Sequence, residues 1–386
     1  MSYMSRASSF APSSPTIDPD RPVGIAIIGT GIGASVHIPV FREIEDTEIV
    51  ALCSRRLDRA RELGSRHRIE IVSDDYREVV DHPDVHAVVI ATPPYLHHTV
   101  AIAALESGKH VLCEKPMARN VAEARDMVNL GRNAGVATVV NHEYRYMPAR
   151  RHVKTAIDDG YLGTPQSASI VVFRSSLTDP NGRPFSWLME RDKAGGMLAA
   201  SGSHYIDLLR WWFGDIKAVA GLTATMVPHR RLPDSSEMAH VDADDNFALM
   251  LKFQNGAIAT VHVCATATAD AGEEITLSGS EGMLLLQGDG TLFGARKGNM
   301  ALHEVDVPRP GPTPKLPEFS HILARPTALL ASDWISAIRT GEMPVDAPTF
   351  EDGARVQEII DGVHRSTAQG RWIDTSGTRW PVSRGF

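Results

Sequence analysis

An apolar strand that runs directly into a glycine-rich turn constrains this chain more than any other feature. Residues 23–28 read VGIAII, and Gly29, Gly31 and Ala34 follow at the spacing G-x-G-x-x-A. The first glycine permits a tight turn, the second lets backbone approach a pyrophosphate, and the small third residue allows close helix–sheet packing. Amides at the start of the following helix then hold the anion. The pattern predicts a dinucleotide-binding domain. The residues predicted to form its phosphate-binding turn are Gly29, Thr30, Gly31 and Ile32.

Strand and helix signals alternate through the first 142 residues of this 386-residue chain. After the first strand, short apolar runs predict further strands, and amphipathic runs predict the helices between them. The predicted strands are 48–53, 87–91, 110–113 and 137–140, and the predicted helices are 34–44, 57–67, 76–81, 99–107 and 121–134. Such alternation is typical of a doubly wound parallel sheet, so the fold class is predicted to be α/β.

The pattern changes after residue 142, where several predicted strands alternate apolar and polar residues. These strands are predicted at 167–173, 219–227, 245–253, 257–267, 274–278 and 283–287, and an amphipathic helix is predicted at 352–366. Alternation is typical of antiparallel strands with one covered face, and Asn255-Gly256 is a tight-turn signal between two of them. The second part of the chain is therefore predicted to be α+β, with a large open, mostly antiparallel sheet.

The domain organisation follows from these changes of pattern. Residues 1–20 are rich in serine and proline and are predicted to be a disordered tail. Residues 21–142 are predicted to form the dinucleotide-binding domain, and residues 143–386 a second domain. Within the second domain, residues 308–317 carry five prolines and are predicted to be a loop.

Composition argues against several classes of protein. The formal net charge is −8, which argues against a nucleic-acid-binding surface. No apolar run reaches the roughly 18 residues of a membrane span, so no membrane partner is expected. Three cysteines, Cys53, Cys113 and Cys264, lie far apart without zinc-binding spacing, so no metal is predicted. As isolated thiols they favour a reducing, cytoplasmic location.

The end of the second predicted strand bears on the choice of cofactor. NAD enzymes usually place an acidic residue about 20 residues after the glycine turn, where it accepts from the ribose 2′-hydroxyl. This chain instead reads Ser54-Arg55-Arg56. A guanidinium can bind the oxygens of a 2′-phosphate in a fork, which favours NADP over NAD. The alternative is that both arginines simply begin a solvated helix.

Two further segments are predicted to reach the nicotinamide end of the cofactor. They follow the strands at 87–91 and 110–113, whose carboxyl ends share the edge of the sheet at which such folds bind ligands. The residues predicted to contact the cofactor there are Thr92, Pro93, His97, Glu114 and Lys115. Lys115 is predicted to carry a proton or to donate to a substrate oxygen, and the alternative is an ordinary exposed lysine.

Residues 87–118, which read AVVIATPPYLHHTVAIAALESGKHVLCEKPMA, resemble the signature of the Gfo/Idh/MocA oxidoreductase family. Segments at 141–148, 160–163 and 195–207 resemble further motifs of that family. The resemblance implies an N-terminal Rossmann domain and a C-terminal α/β domain, at residues 143–386, for substrate binding and oligomerisation. In the family, the open sheet of this second domain commonly serves oligomerisation and carries the substrate side of the cleft. We therefore expect a homodimer or a homotetramer that acts on a small molecule.

The resemblance also implies roles for particular residues. Lys115 and His204 are expected to transfer protons, and Asp207, about one helical turn after His204, to orient this ring or bind a substrate hydroxyl. Tyr144 and Arg145 are expected to contact the substrate. For Arg145, an ion pair at the seam between the domains is an equally open alternative.

The chain departs from the family pattern at two places that matter for chemistry. The family usually has an aspartate four residues before the histidine, and that position here is Ala200. A frequent Trp-Arg pair reads Trp187-Leu188 in this chain, and Trp187 is still expected to contact the cofactor.

These features together predict an NAD(P)-dependent oxidoreductase. It is expected to move a hydride between nicotinamide and a hydroxyl or keto carbon of a sugar, cyclitol or related polyol. One alternative is internal redox with tightly held NAD, leading to elimination or glycoside cleavage. The absence of a carboxylate at Ala200 is the observation that raises this alternative. Another alternative is a non-catalytic cofactor-binding protein of the same fold.

Overall fold

The fold is taken from a computed structural model, which describes residues 17–307 and 319–376. Most of the predicted tail and the proline-rich loop at 308–317 therefore lie outside the described residues. The described chain forms two compact units. One unit takes residues 17–146 and 319–354, and the other takes residues 147–307 and 355–376.

The first unit is built on a six-stranded parallel sheet. Its strands are β1 (Val23–Ile28), β2 (Thr47–Cys53), β3 (Ile71–Ser73), β4 (Ala87–Ile90), β5 (His110–Cys113) and β6 (Thr138–Val140). Their order is β3-β2-β1-β4-β5-β6, and every pairing is parallel. The order reverses between β1 and β4, and ligands bind at such a switch point. The predicted doubly wound sheet is confirmed.

Helices connect these strands near their predicted positions, with a local difference after β1, and the short β3 was not predicted. They are α1 (Ile38–Phe41), α2 (Leu57–His67), α3 (Tyr76–Val80), α4 (His97–Glu106) and α5 (Val121–Ala134). Where one helix was predicted at 34–44, a π-helical turn at Gly33–His37 leads into the short α1. Pro39 has no amide hydrogen, so the regular pattern of helical hydrogen bonds is interrupted there.

The second unit is built on a nine-stranded mixed sheet, with the helices α6 (Pro148–Asp158) and α7 (Ser203–Phe213) before and within it in sequence. The strands of this unit are β7 (Pro165–Phe173), β8 (Ile216–Ala224), β9 (His229–Arg231), β10 (Met238–His240), β11 (Asn246–Phe253), β12 (Ile258–Cys264), β13 (Gly272–Gly279), β14 (Gly282–Gln287), β15 (Leu292–Arg296), β16 (His303–Val305) and β17 (Ile373–Asp374). Of these, β9 and β10 form a separate two-stranded hairpin, and the others form the large sheet. The order in the large sheet is β16-β15-β14-β13-β7-β12-β11-β8-β17, and only β7 and β12 pair in parallel. The predicted large, mostly antiparallel sheet is confirmed.

The large sheet has one buried face and one exposed face. In β11, Phe247, Leu249 and Leu251 are buried, whereas Met250 and Lys252 between them are exposed. This alternation is the period-2 pattern that the sequence displays. The turn predicted at Asn255-Gly256 joins β11 to β12, and its glycine has a φ of +92°.

Two late helices complete the described chain, α8 (Ala324–Thr340) and α9 (Phe350–Gln369). We expected residues 319–354 in the second domain, but they pack with the first unit. Trp334 of α8 is fully buried, its ring meets Phe41 edge to face, and its Nε1 donates to the carbonyl of Ala137 at 3.2 Å. The apolar side of α8 thus covers the parallel sheet. No local sequence pattern predicts this contact.

None of the helices in the described part of the chain has the length and apolar character that a membrane span requires.

Candidate active site

The glycine turn after β1 has the shape that a dinucleotide requires. Gly29 has a φ of +115°, and a Cβ added there would lie 2.3 Å from the carbonyl oxygen of Ala91, so only glycine fits. The amide of Gly29 donates to the carbonyl of Cys53 at 2.8 Å, which ties the turn to β2. At Gly31 an added Cβ would meet nothing within 4 Å, so open space lies over the turn. This arrangement fits the pyrophosphate of a dinucleotide.

The neighbouring strand end carries the predicted adenine-side residues. Thr30 and Ser54 lie with their hydroxyl oxygens 2.9 Å apart, which joins the glycine turn to the end of β2. Arg55 and Arg56 are exposed, and their guanidinium groups make no ion pair or hydrogen bond with any other residue that the structure describes. Both are therefore available to a ligand at this edge.

An acidic cluster lies beside the end of β2 and consists of Asp74, Asp75 and Glu78. Burial, together with the smaller effects of the charges of Asp75, Asp74 and Glu78, raises the pKa of the Cys53 thiol to about 12. The negative field of this acidic cluster therefore reaches the end of β2. Its presence was not foreseen from sequence, because β3 is short and the cluster becomes a neighbour of β2 only through strand pairing.

The loop after β4 brings Thr92, Pro93 and His97 to the same edge. Thr92 and Pro93 are partly exposed, whereas His97 is completely buried at the start of α4. The two ring nitrogens of His97 face the carbonyl oxygens of Thr92 and Pro116. Direct contact of His97 with a cofactor stays a prediction, and the contacts observed here are with backbone.

Glu114 lies at the centre of a buried polar cluster beneath Lys115. Its Oε1 accepts from His37 Nε2 at 2.9 Å and from Asn141 Nδ2 at 2.8 Å, and its Oε2 accepts from the backbone amide of Lys115 at 3.2 Å. Burial alone would raise the pKa of Glu114. The hydrogen bonds from His37 and Asn141, with the charge of Lys115, lower this pKa below its ordinary value. An ionised carboxylate therefore holds the backbone from which Lys115 projects.

Lys115 itself is partly buried and follows β5 at the carboxyl edge of the sheet. Its peptide bond to Pro116 is cis. The glycine turn after β1 and the Thr92 loop after β4 leave the same edge, since β1, β4 and β5 are parallel neighbours. The structure thus brings the predicted cofactor residues of the first unit to one edge.

Arg145 is engaged within the first unit. It is buried, donates to the carbonyl of Asp346 at 3.2 Å and pairs with Asp352 at 3.4 Å. Of the two alternatives left open for Arg145, an ion pair is observed, although it lies inside one unit instead of at a seam. Contact of Arg145 with substrate stays a prediction, as does that of the partly exposed Tyr144.

The second unit carries the predicted histidine near the start of α7. His204 and Asp207 are both buried there. A π-helical turn at Leu198–Gly202 leads directly into this helix. The side chain of Ala200, where the family has an aspartate, packs with Trp187 against a small apolar cluster that includes Leu188. The predicted cofactor contact of Trp187 is not tested by these packing contacts.

Asp244 fixes the turn that precedes α7, and sequence reasoning missed it. Its Oδ2 accepts from the amide of Leu198 at 2.8 Å, and its backbone carbonyl accepts from Met197 at 2.9 Å. Gly196 has a φ of +97°, and a Cβ there would lie 2.3 Å from Asp244 Oδ1. The pKa of Asp244 is raised to about 7, chiefly by burial and to a smaller extent by the charge of Asp245, while the hydrogen bond from the Leu198 amide opposes the rise.

A second buried polar group holds the other side of α7. Glu273 of β13 accepts from Arg150 Nη2 at 2.5 Å and from the hydroxyl of Tyr205, the residue next to His204. Glu273 is 9% exposed, so the three side chains form a shielded network. The partners are 68 and 123 residues apart in sequence, which is why no local motif revealed them.

No group of three or more His, Cys, Asp or Glu side chains among the described residues is arranged to hold a metal ion.

The parallel sheet, its glycine turn and the charged residues at its carboxyl edge define an NAD-binding oxidoreductase with a Rossmann domain. The chain belongs to the Gfo/Idh/MocA family. Residues 23–142 match that family's NAD-binding Rossmann fold, and residues 150–285 match its C-terminal domain. The predicted family, fold class and enzyme class are confirmed.

Similar proteins cover nearly the whole chain. Levoglucosan dehydrogenase of Pseudarthrobacter phenanthrenivorans is 30% identical over 91% of this chain and 98% of its own. D-apiose dehydrogenase of Paraburkholderia graminis is 28% identical over 90% of this chain and 88% of its own. A solved structure of levoglucosan dehydrogenase with NADH is 28% identical and superposes with a TM-score of 0.83 over 92% of this chain and 99% of that one.

Proposed function

We propose that this protein transfers a hydride between a nicotinamide dinucleotide and a hydroxyl or keto carbon of a sugar, cyclitol or related polyol. The observation that carries the proposal is the placement of Lys115 on the cofactor-binding edge, above the ionised and buried Glu114. Relatives named for levoglucosan and D-apiose support a sugar substrate. A related structure contains both NADH and levoglucosan, which supports the same class.

Two side chains are proposed to move the proton that accompanies the hydride. Nicotinamide, when bound, supplies the hydride acceptor or donor. The glycine turn would hold the pyrophosphate, with Gly31 leaving the space that it needs. Lys115 holds the substrate oxygen through its Nζ, and the His204 ring takes the hydroxyl proton or returns it. Asp207, one helical turn from His204, orients that ring or binds a second hydroxyl.

Absorbance at 340 nm, with NAD⁺ or NADP⁺ and a panel of sugars, sugar acids and inositols, tests this proposal. Lys115→Met should lower kcat by about 100-fold or more, because a positioned proton donor contributes about 10²–10⁴ in rate. The dissociation constant for the reduced cofactor should change little. Lys217→Met, at an exposed lysine of the second unit, is the control and should match the wild type. Turnover of Lys115→Met at the wild-type rate would refute the assigned role.

Internal redox is the second candidate, and Ala200 is the observation that favours it. No carboxylate stands four residues before His204, and the methyl group of Ala200 packs against apolar neighbours. Such an enzyme would regenerate its cofactor in each turnover. Stoichiometric accumulation of reduced cofactor with a sugar supports the dehydrogenase. Product formation with copurified nucleotide and no net absorbance change supports internal redox.

We further propose that NADP is preferred over NAD. The exposed Arg55 and Arg56 have no partner among the described residues, so they can bind a 2′-phosphate. The acidic cluster at the end of β3 repels a 2′-phosphate through space. The guanidinium groups would bind the same phosphate by direct hydrogen bonds, which outweigh that repulsion. Losing one charged hydrogen-bond donor should cost about 1.5–3 kcal/mol, or roughly 10- to 100-fold in affinity.

The ratio of kcat/KM for NADP⁺ to that for NAD⁺ measures this preference. Arg55→Ala and Arg56→Ala should each lower the ratio about tenfold or more. Arg61→Ala removes an equally exposed arginine further along α2 and should leave the ratio unchanged. A wild-type preference for NAD⁺ would mean that the acidic cluster dominates and that the arginines only begin a solvated helix.

A homodimer or homotetramer is proposed, with the outer face of the large sheet as its interface. Val171, Leu222, Met250 and Ile258 are between 37% and 59% exposed on that face. Strand register places Val171 and Leu222 in one cross-strand row. Large apolar side chains exposed together on one face of a sheet are typical of interfaces. Light scattering after size exclusion should show an oligomer that Met250→Arg weakens. Val345→Arg, at an exposed apolar residue of the first unit, should not weaken it.

A cytoplasmic location is also proposed. Cys53, Cys113 and Cys264 are all free thiols, and the first two are buried. This cysteine usage fits a reducing compartment. Fractionation of the native host should recover the protein with cytoplasmic markers, and recovery with a membrane or secreted fraction would contradict the proposal.

A further inference from the structure

His97 joins two loops at the cofactor-binding edge. Its Nε2 lies 2.8 Å from the carbonyl oxygen of Thr92, and its Nδ1 lies 3.0 Å from the carbonyl oxygen of Pro116. Thr92 belongs to the loop after β4, and Pro116 directly follows Lys115 after β5. Since β4 and β5 are adjacent and parallel, their two loops leave the sheet side by side. A single ring thus spans from one loop to the other.

The ring of His97 is enclosed by the protein. Its exposed fraction is 0%, and each ring nitrogen already faces a backbone carbonyl. Its neighbour His98 is different, because that ring is partly exposed and lies 3.4 Å from the carboxylate of Asp126. The ring of His97 therefore affects Lys115 and the cofactor site through the backbone of the two loops.

The protonation of His97 determines how the two carbonyls are held. Burial lowers the pKa of His97, while the carbonyls of Thr92 and Pro116 and the charge of Glu114 partly offset this effect. A neutral imidazole has one N–H, so it donates to one of the two carbonyls, and its unprotonated nitrogen faces the other carbonyl without a hydrogen bond. An asparagine amide can stand near the Nδ1 position and a glutamine amide near the Nε2 position.

We infer that His97 is a positioning residue that ties the Thr92 loop to the Lys115-Pro116 segment and thereby holds Lys115 in place for turnover. The inference rests on the role proposed above for Lys115. A displacement of about 1 Å in a positioned group can lower a rate by about 100-fold. His97 acts on the rate without touching the substrate, so its loss should lower kcat much more than it raises KM for the sugar.

The test compares His97→Phe, His97→Asn and His97→Gln with His98→Gln as the matched control. His97→Phe keeps a buried ring but loses both polar contacts, and it should lower kcat by about tenfold to 100-fold. One of the two amide variants should recover most of that loss, namely the one that replaces the nitrogen carrying the hydrogen. His98→Gln should keep the wild-type kcat.

Hydrogen exchange by mass spectrometry on the protein without added cofactor gives a readout independent of catalysis. In His97→Phe, amides in segments 91–97 and 113–118 should exchange faster together, while His98→Gln should leave both segments protected. Unchanged exchange in either segment would overturn the inference. Faster exchange in both segments with a wild-type kcat would also overturn it, since the loops would then not set the rate.

Two further comparisons keep the outcomes distinct. If His97→Phe does not fold, the amide variants decide, because wild-type kcat in both would overturn the inference and a tenfold difference between them would support it. A wild-type kcat in Lys115→Met refutes the proposed function by itself. In that case any effect of His97 on turnover cannot run through Lys115, although its effect on loop exchange would still be measured.

Discussion

Replacing Asp244 by asparagine isolates the effect of one buried carboxyl on stability. Asp244 is 5% exposed, and its pKa is raised from 3.8 to about 7, chiefly by burial. The unfolded chain ionises this group near its ordinary pKa, whereas the folded chain keeps it protonated until about pH 7. Stability from this group is therefore fully present below about pH 4 and is lost as the pH rises to about 7. About three pH units at about 1.4 kcal/mol each give roughly 4 kcal/mol.

The asparagine variant stays neutral at every pH and keeps an oxygen that can accept from the Leu198 amide. Its free energy of unfolding, relative to the wild type, should be similar near pH 4 and should rise by up to roughly 4 kcal/mol near pH 8. Asp242→Asn is the control, because it makes the same substitution at an exposed carboxylate two residues earlier.

Urea unfolding at pH 4.5 to 8 measures this difference. The chain has two compact units, so unfolding need not be two-state, and the midpoint of the transition that Asp244→Asn shifts is the quantity to follow. Hydrogen exchange of segment 196–203 gives a local check at each pH. A difference between Asp244→Asn and the wild type that does not change with pH would refute the argument, because the carboxyl would then titrate alike in both states.

Three further predictions concern the first unit. Gly29→Ala should destabilise the protein by more than about 3 kcal/mol and abolish NADH binding, as measured by NADH fluorescence. Normal binding would contradict the close approach of the backbone at this turn. Glu114→Gln removes the charge facing His37 and should cost about 2 kcal/mol in thermal or urea unfolding; a neutral effect would mean that the pair contributes nothing net. Trp334→Ala should cost about 3–5 kcal/mol in the same assay, and a loss below 1 kcal/mol would show that α8 does not share the core of the sheet.

Much of the fold could be predicted from local sequence patterns. The strand, glycine turn and helix that begin the chain are neighbours in sequence, so their pattern predicts their geometry. Helix α5 is found at its predicted bounds because both ends carry their own signals. Asn120 accepts from the amide of Glu123 at the start, and Gly135 takes a φ of +63° at the end. Six strands of the second unit show an apolar pattern in the sequence, so they were predicted and only their ends shifted. The short strands β9, β10, β15, β16 and β17 were not predicted.

The contacts that the sequence did not reveal join distant segments. Asp244 caps a turn 46 residues earlier, and the acidic cluster reaches β2 only through strand pairing. Residues 319–354 looked like part of the second domain because they follow it in sequence. They pack on the first unit because the apolar side of α8, with Trp334, is buried against the parallel sheet. Such packing depends on which surfaces meet, and a single sequence does not specify that.

The sequence by itself determined the parallel domain, its family and the position of Lys115 on the ligand-binding edge, since strand direction fixes which ends share an edge. Only the tertiary structure decided how the site is supported. Sequence reasoning placed His97 and Glu114 among the cofactor contacts, and folding buries both of them beneath that edge. A buried polar side chain must satisfy its hydrogen bonds where the fold places it. His97 meets carbonyls 5 and 19 residues away, and Glu114 meets a histidine 77 residues earlier, so their roles are set by packing.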